Sequence, residues 1–186
     1  RNETLYFGGQ QWGTVNSWNP VGTNQNNAMG TTTNPSGSRT IMFETLYMYN
    51  LLDGSMVPLL ADGDPVWAED HTSVTGTLND AAIWSDGTDV TSADVVRTWE
   101  ISLQLNNTAG ANYSPFIESI EAVDDLTFTI NLTTNEAGQP VNPLKVEDFL
   151  VATFVAQAAW LDTLEERNNG DTVAMLNDEA LDAPYT

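Results

Sequence analysis

The chain has 186 residues, 41% of them hydrophobic and six of them tryptophan, enough for one packed core or two small subdomains. It carries 26 acidic residues against five basic ones, a net charge of −21, which excludes nucleic acid as a partner and disfavours docking on an anionic membrane. Cysteine is absent, so disulfides, thiolate metal sites and a cysteine nucleophile are excluded too.

In chain order, residues 4–7 read as a short strand that breaks at Gly8-Gly9. Residues 8–37 form a long polar stretch rich in Asn, Thr and Gly, without periodicity. A stretch of that length in a compact domain is usually functional or disordered. Residues 38–44 are predicted to begin a helix, and residues 46–50 to be extended. Asp53-Gly54 then makes a hairpin-type turn before Met56-Val57. Residues 65–69 and 72–78 alternate as strands do. Residues 84–88 are a tight turn. Thr91 follows as a helix N-cap, with Asp94 in the capping-box position and an expected contribution of about 1 kcal/mol or less. Val95, Trp99 and Leu103, with Val96, give that helix an apolar face.

Residues 118–132 form the clearest hairpin, turning at Asp124-Asp125. Leu126, Phe128, Ile130 and Leu132 point one way; Thr127, Thr129 and Asn131 point the other. Residues 135–143 read as a polar loop. From Phe149 the pattern is helical to Arg167, and residues 168–186 are polar and expected to be irregular. No apolar run approaches the length of a membrane span, and no signal peptide opens the chain. Arg1 as first residue points to a processed or trimmed start.

Catalytic readings find little support. His71 is the sole histidine, and no nucleophile-elbow pattern accompanies it. One histidine without cysteine makes a poor zinc site. Asp62-Gly63-Asp64 and Asp86-Gly87-Thr88-Asp89 supply oxygens that suit calcium, but the EF-hand spacing is missing and Asp-Gly turns explain both. A carboxylate pair for glycoside hydrolysis remains open, since so many acids always offer one. No metal and no cofactor is expected.

The stronger signal is the stretch Gln10-Gln11-Trp12 to Asn16, Trp18 and Asn19. Amides want hydrogen-bond partners and indoles want cover. Sugar rings present flat C–H faces to an indole, while their hydroxyls pair with Asn and Gln. Trp12, flanked by Gly9, the two glutamines and Gly13, is hard to bury, whereas Trp18 suits a core equally well. Trp67, Trp84, Trp99 and Trp160 are expected in the core.

Phe43-Glu44-Thr45-Leu46, then Leu59-Leu60-Ala61, then Trp84-Ser85-Asp86-Gly87-Thr88-Asp89-Val90-Thr91-Ser92-Ala93-Asp94-Val95-Val96 resemble the family 5 extracellular solute-binding proteins, the peptide- and oligosaccharide-binding components of ABC importers. Ile120-Glu121-Ala122-Val123-Asp124-Asp125-Leu126-Thr127-Phe128-Thr129-Ile130 resembles the block that follows in that family. The family often has a proline before its last helix in this region; Ala156-Gln157-Ala158 stands here instead.

The resemblance implies an α/β (mixed α+β) fold, part of lobe one of a two-lobe periplasmic-binding-protein-like architecture, and no enzymatic activity. It implies that residues 1–40 begin the core subdomain of that lobe, residues 41–150 form an inserted smaller subdomain, and residues 151–186 return toward the core subdomain. A C-terminal part of the same protein, with lobe two, is then missing from this chain. Implied partners are an oligosaccharide or peptide ligand and the membrane subunits of an ABC permease. The implied location is extracellular: a cell-surface lipoprotein or a periplasmic protein. Trp18-Asn19-Pro20 and the tryptophan-amide stretch look more like cello- and manno-oligosaccharide binders than peptide binders. By that analogy the ligand contacts are Gln10, Gln11, Trp12 and Asn16, with Trp18 and Asn19 behind them. An oligopeptide ligand is the alternative, and a secreted carbohydrate-active enzyme or binding module the rival from another class.

Overall fold

The computed structural model describes residues 17–22 and 42–185. A small antiparallel pair, β1 (Tyr47–Tyr49) and β2 (Met56–Pro58), closes over the turn at Asp53-Gly54, where Gly54 has a positive φ of 75°. The main sheet has four antiparallel strands in the order β3-β4-β6-β5: β3 (Val66–Trp67), β4 (Ser73–Thr77), β5 (Ile117–Ala122) and β6 (Thr127–Leu132). Five helices accompany the strands among the described residues: α1 (Ser92–Leu105), α2 (Thr108–Tyr113), α3 (Pro143–Ala152), α4 (Ala158–Arg167) and α5 (Thr172–Asn177).

Period-two alternation decides which face of the sheet is buried. Val74, Phe128, Ile130 and Leu132 are buried, as are Ile117 and Ile120 on the neighbouring strand, and α1 packs against β5 and β6. The opposite face is half-wet: Thr75 and Thr129 pair their hydroxyls at 3.0 Å, and Asn131 Nδ2 donates to Ser119 Oγ at 2.9 Å. The hairpin turns at Asp124, whose carboxylate accepts from the N–H groups of Leu126 and Thr127.

The buried side of α1 is wider than the fourfold spacing suggests. Val95, Trp99, Ile101 and Leu105 are buried together with Ser92, Asp94, Thr98 and Ser102. Leu103, expected on the apolar face, is 44% exposed instead. The reason is a polar seam. Thr98 Oγ1 donates to Ala156 O at 3.2 Å and accepts from Ala156 N–H at 2.9 Å, so one side of the helix buries hydroxyls with satisfied bonds. The helix ends at Asn106 in a left-handed conformation, φ 45°, its N–H closing on Leu103 O.

Where one helix over residues 149–167 is expected, the structure has two. α3 starts earlier, at Pro143 in the first turn, and stops at Thr153. Residues 153–157 run extended: Phe154 bridges Thr45, and Val155 N–H donates to Glu44 O at 3.2 Å. α4 then begins at Ala158. The tail, expected to be irregular, contains α5, capped by Asp171, which accepts from Val173 and Ala174 N–H. α2 is a further helix not anticipated. The helix expected to begin within residues 38–44 lies mostly outside the described residues, and 42–44 are not helical. Trp84, Trp99 and Trp160 are buried as expected, while Trp67 is only partly covered and lies edge-on to His71, 5.8 Å between ring centres.

α1 and α2 cross tightly at Gly110. A Cβ there would sit 2.1 Å from the carbonyl oxygen of Ser102. Because the obstruction is backbone, relief requires moving a helix. Gly110→Ala is therefore expected to cost about 3 kcal/mol or more in chemical denaturation, rather than gain the helix propensity of alanine. An unchanged unfolding midpoint would show that the crossing opens freely.

Candidate functional site

The described end of the tryptophan-amide stretch is residues 17–22, and it is fastened to the tail after α5. Trp18 N–H donates to Glu179 O at 2.7 Å. Asn19 is fully buried; its Nδ2 donates to Met175 O at 2.8 Å and to Asp178 O at 3.1 Å, and its Oδ1 accepts from Val21 N–H at 3.0 Å. Asn19 also donates its own N–H to Ser17 Oγ. Every hydrogen-bonding group of the Asn19 side chain except one lone pair or so is thus engaged within the chain. Trp18 is half-buried, its ring centre 6.4 Å from that of Tyr185, which in turn meets Phe43 edge-on at 5.6 Å.

The tail is itself clamped. Arg167 donates to both oxygens of Asp178 at 2.8 Å and to Asp182 Oδ2 at 2.7 Å, while its guanidinium lies 5.6 Å from the centre of the Trp160 ring. Burial alone raises the pKa of the Asp178 carboxyl, but bonds from Asn168, Ala180 N–H and Arg167 outweigh it and leave the group below its ordinary value. The Asp182 carboxyl is lowered chiefly by Arg167. The clamp therefore stays ionised at neutral pH and holds the segment that in turn holds Trp18 and Asn19.

Beside this segment is a pocket of about 140 Å³. Pro20, Val21 and Gly22 form one wall. Thr98 and Ser102 of α1, the start and body of α2, and residues 152–156 form the rest. Among the described residues, no Asp, Glu, Lys or Arg lines it. Tyr113, on its rim, donates its hydroxyl to Asp148 Oδ2 at 3.1 Å, and burial raises the phenol's pKa well above its ordinary value.

Of the sequence-predicted contacts, Gln10, Gln11, Trp12 and Asn16 lie outside the described residues. Trp18 and Asn19 precede Pro20, which lines the pocket, but neither lines it, and Asn19 is turned into the protein rather than outward. The pocket's other walls carried no sequence signal beyond a high density of Thr and Asn. Asp86, a calcium candidate in the sequence, accepts from Thr88 N–H, Thr88 Oγ1 and Gln157 Nε2, which is turn chemistry. His71 sits exposed in the turn between β3 and β4, at φ 56°. Among the described residues no cluster of three metal-ligating side chains occurs, and no helix is long and apolar enough to cross a membrane.

The family model described as "Bacterial extracellular solute-binding proteins, family 5 Middle" matches residues 55–178. No curated protein matches the chain. Among solved structures, the chain is similar to a periplasmic oligopeptide-binding protein of an ABC transporter from Thermotoga maritima, solved with mannohexaose. Identity is 24%, the alignment covers 100% of this chain and 30% of that one, and the TM-score is 0.69. It is also similar to OppA of Listeria monocytogenes bound to peptide, at 21% identity, 83% and 31% coverage and TM-score 0.60. A third is the binding protein AgaA of A. tumefaciens R10 in complex with agropinic acid, at 26% identity, 86% and 29% coverage and TM-score 0.57. This chain thus spans less than a third of the length of each, and the mixed helix-and-sheet fold is similar to part of a periplasmic-binding-protein lobe.

Proposed function

We propose, since this chain belongs to the bacterial extracellular solute-binding proteins of family 5, that it is part of the solute-capturing component of an ABC importer and that its ligand is an oligosaccharide of the cello- or manno- type. One observation carries the choice of ligand. Every described cationic side chain is already spent on carboxylates: Arg97 on Asp162, Glu165 and Glu100, Lys145 on Asp148, and Arg167 on Asp178 and Asp182. A peptide or organic acid brings a carboxylate that needs a counter-charge when desolvated; a neutral sugar does not. The tryptophan-amide stretch supplies what a sugar does need, a stacking face and neutral hydrogen-bonding groups. The mannohexaose-bound Thermotoga maritima structure supports the same reading.

In this reading residues 1–40 start the core subdomain of lobe one, 41–150 are its inserted smaller subdomain, and 151–186 return to the core. The pairing of residues 17–21 with 175–179 supports that return. A second lobe, outside this chain, closes over the ligand by a hinge motion, and the loaded protein docks on the permease outside the membrane, as a cell-surface lipoprotein or a periplasmic protein. Catalysis plays no part; an enzyme would lose turnover when an acidic pair is neutralised, and here no turnover is expected.

The test is a tryptophan-fluorescence titration of the intact protein with gluco- and manno-oligosaccharides, beside a mixed peptide pool. A saturable change with sugars alone is expected. A change with peptides alone, the ligand class held by the Listeria relative, overturns the sugar reading and leaves the family standing. Trp12→Ala is expected to weaken sugar binding about tenfold or more, the ~1.4 kcal/mol of a lost stacking wall, with the melting temperature unchanged. Loss of folding in that variant would make Trp12 a core residue.

A further inference from the structure

We propose that Asp62-Gly63 is a site of spontaneous backbone modification, where Asp62 converts to isoaspartate through a cyclic imide with Gly63, and that the fold suppresses the same conversion at the other aspartyl-glycine steps. The sequence holds three such steps: Asp53-Gly54, Asp62-Gly63 and Asp86-Gly87. All three are exposed, with the glycine at a positive φ. The conversion needs only the chain and water. The backbone nitrogen of Gly63 loses its proton and attacks Cγ of Asp62. A C–N bond forms, a Cγ–O bond breaks and the carboxyl oxygen leaves as water, which closes an imide ring. Water then adds back. Addition at Cγ restores aspartate. Addition at the main-chain carbonyl carbon breaks the original peptide bond and leaves the chain joined through the side chain.

Ring closure requires an amide nitrogen free to move and a carboxyl free to turn onto it in its uncharged form. At Asp53-Gly54 neither is free. Gly54 N–H donates to Asn50 O at 2.8 Å, and Asp53 Oδ1 accepts from Ser55 N–H at 2.9 Å and Ser55 Oγ at 2.6 Å. Asp86-Gly87 is tied in the same way. Gly87 N–H donates to Trp84 O at 2.8 Å, and the Asp86 carboxylate accepts from Thr88 and Gln157. These bonds also hold both carboxyls below their ordinary pKa, Asp53 through Ser55 and Asp86 through Gln157 first, so the uncharged form is scarcer there. At Asp62-Gly63 the anchoring bond lies ahead of the reacting atoms: Asp62 N–H donates to Thr77 O at 2.7 Å. Neither Gly63 N–H nor the Asp62 carboxylate makes a hydrogen bond with the described residues. Space is equally open at the three glycines, so hydrogen bonding rather than crowding separates them. Asn169-Gly170, which would deamidate with a change of mass, has Gly170 N–H bonded to Glu165 O at 2.9 Å. Conversion at Asp62 adds a methylene to the main chain just before β3, so the pairs Val66–Thr75 and Trp67–Val74 are the ones it disturbs.

The intact protein is aged at mildly acidic pH, folded and in urea, and mapped by peptide fragmentation that tells the two linkages apart. Breaking the glycine's hydrogen bond first is expected to make conversion at Asp53 and Asp86 about tenfold or more slower than at Asp62 in the folded protein. In urea the three rates are expected to converge. Asp62→Glu, whose larger ring closes poorly, is expected to remove most of the isoaspartate formed by the folded protein, counted by enzymatic methyl transfer, with the melting temperature unchanged. Equal rates at the three positions in the folded protein, or a faster rate at Asp53 or Asp86, overturn the proposal. So does a folded protein that forms none while the urea sample converts. A preference for Asp62 that persists in urea overturns the part assigned to the fold.

Discussion

Replacing Asp94 with alanine is expected to lower the stability of the protein by about 3–5 kcal/mol, several times the value of an ordinary helix cap. The carboxylate is buried and joins three elements. Its Oδ2 accepts from Thr91 N–H at 2.8 Å, which is the capping bond the sequence predicts, and also from the indole N–H of Trp84 at 3.1 Å. Its Oδ1 accepts from Ala158 N–H at 2.6 Å. Ala158 opens α4, whose N-cap residue Gln157 makes no side-chain cap bond because its amide is turned to Asp86 and Thr88. One carboxylate therefore serves the N-termini of α1 and α4 together, and favours both through their positive dipole ends. Alanine would strand two backbone N–H groups and a buried indole N–H at once. Asp94→Asn is the informative companion: it keeps the shape and one acceptor, and is expected to recover part of the loss. Urea denaturation of both variants decides. A cost near 1 kcal/mol for Asp94→Ala would mean that water replaces the carboxylate at Trp84 and Ala158.

That contrast shows where the sequence was legible. Thr91 and Asp94 lie three residues apart, so their bond is a local fact and readable. Trp84 lies ten residues away and Ala158 sixty-four, and no spacing rule connects them. The β5–β6 hairpin was readable for the same reason as the cap: period-two alternation around an Asp-Asp turn is local. The break between α3 and α4 was not. No glycine or proline interrupts residues 149–167; the chain is pulled extended by partners far away, Thr45 and Glu44 on one side and Thr98 on the other. Leu103 was misplaced because the buried face of α1 recruits Thr98 and Ser102, which gain cover by bonding residues that hydropathy does not reveal.

The candidate site divides in the same way. Tryptophan beside amides announces a surface that stacks and bonds, and that much is composition. Whether a particular amide faces outward is tertiary. Asn19 belongs to the same cluster as Gln10 and Gln11 in sequence, yet its donor is taken by carbonyls at Met175 and Asp178, more than 150 residues on. The clamp that presents those carbonyls, Arg167 with Asp178 and Asp182, looked like ordinary surface charge until the tail folded back on it.

Salt is expected to stabilise this protein, raising the melting temperature by about 6–12 °C between 0.1 M and 1 M sodium chloride. Two electrostatic effects compete. Screening weakens the six ion pairs of Arg97, Lys145 and Arg167, but pairs at least partly open to solvent contribute only about 0–1 kcal/mol each. Screening also relieves repulsion among 26 acids faced by five bases. The repulsion is concentrated: Asp62, Asp64, Glu69, Asp70, Asp80, Asp86 and Asp89 are all exposed, and no Lys or Arg occurs between Arg39 and Arg97. Two like charges 10 Å apart in water repel by about 0.4 kcal/mol, reduced to roughly 0.15 by 0.1 M salt and to almost nothing by 1 M. Summed over the excess charge, about 3 kcal/mol of residual repulsion is removed, whereas raising the salt from 0.1 M to 1 M screens only about half of each contact pair, so six pairs of a typical ~0.5 kcal/mol lose about 1.5 kcal/mol together. Calorimetric melts of the intact protein in sodium chloride check the direction, with sodium sulfate at matched ionic strength separating screening from the salting-out of apolar surface. A melting temperature that falls as chloride rises would mean that the ion pairs of Arg97 and Arg167 outweigh the acidic surface, and that the two clamps are worth far more than exposed salt bridges ordinarily are.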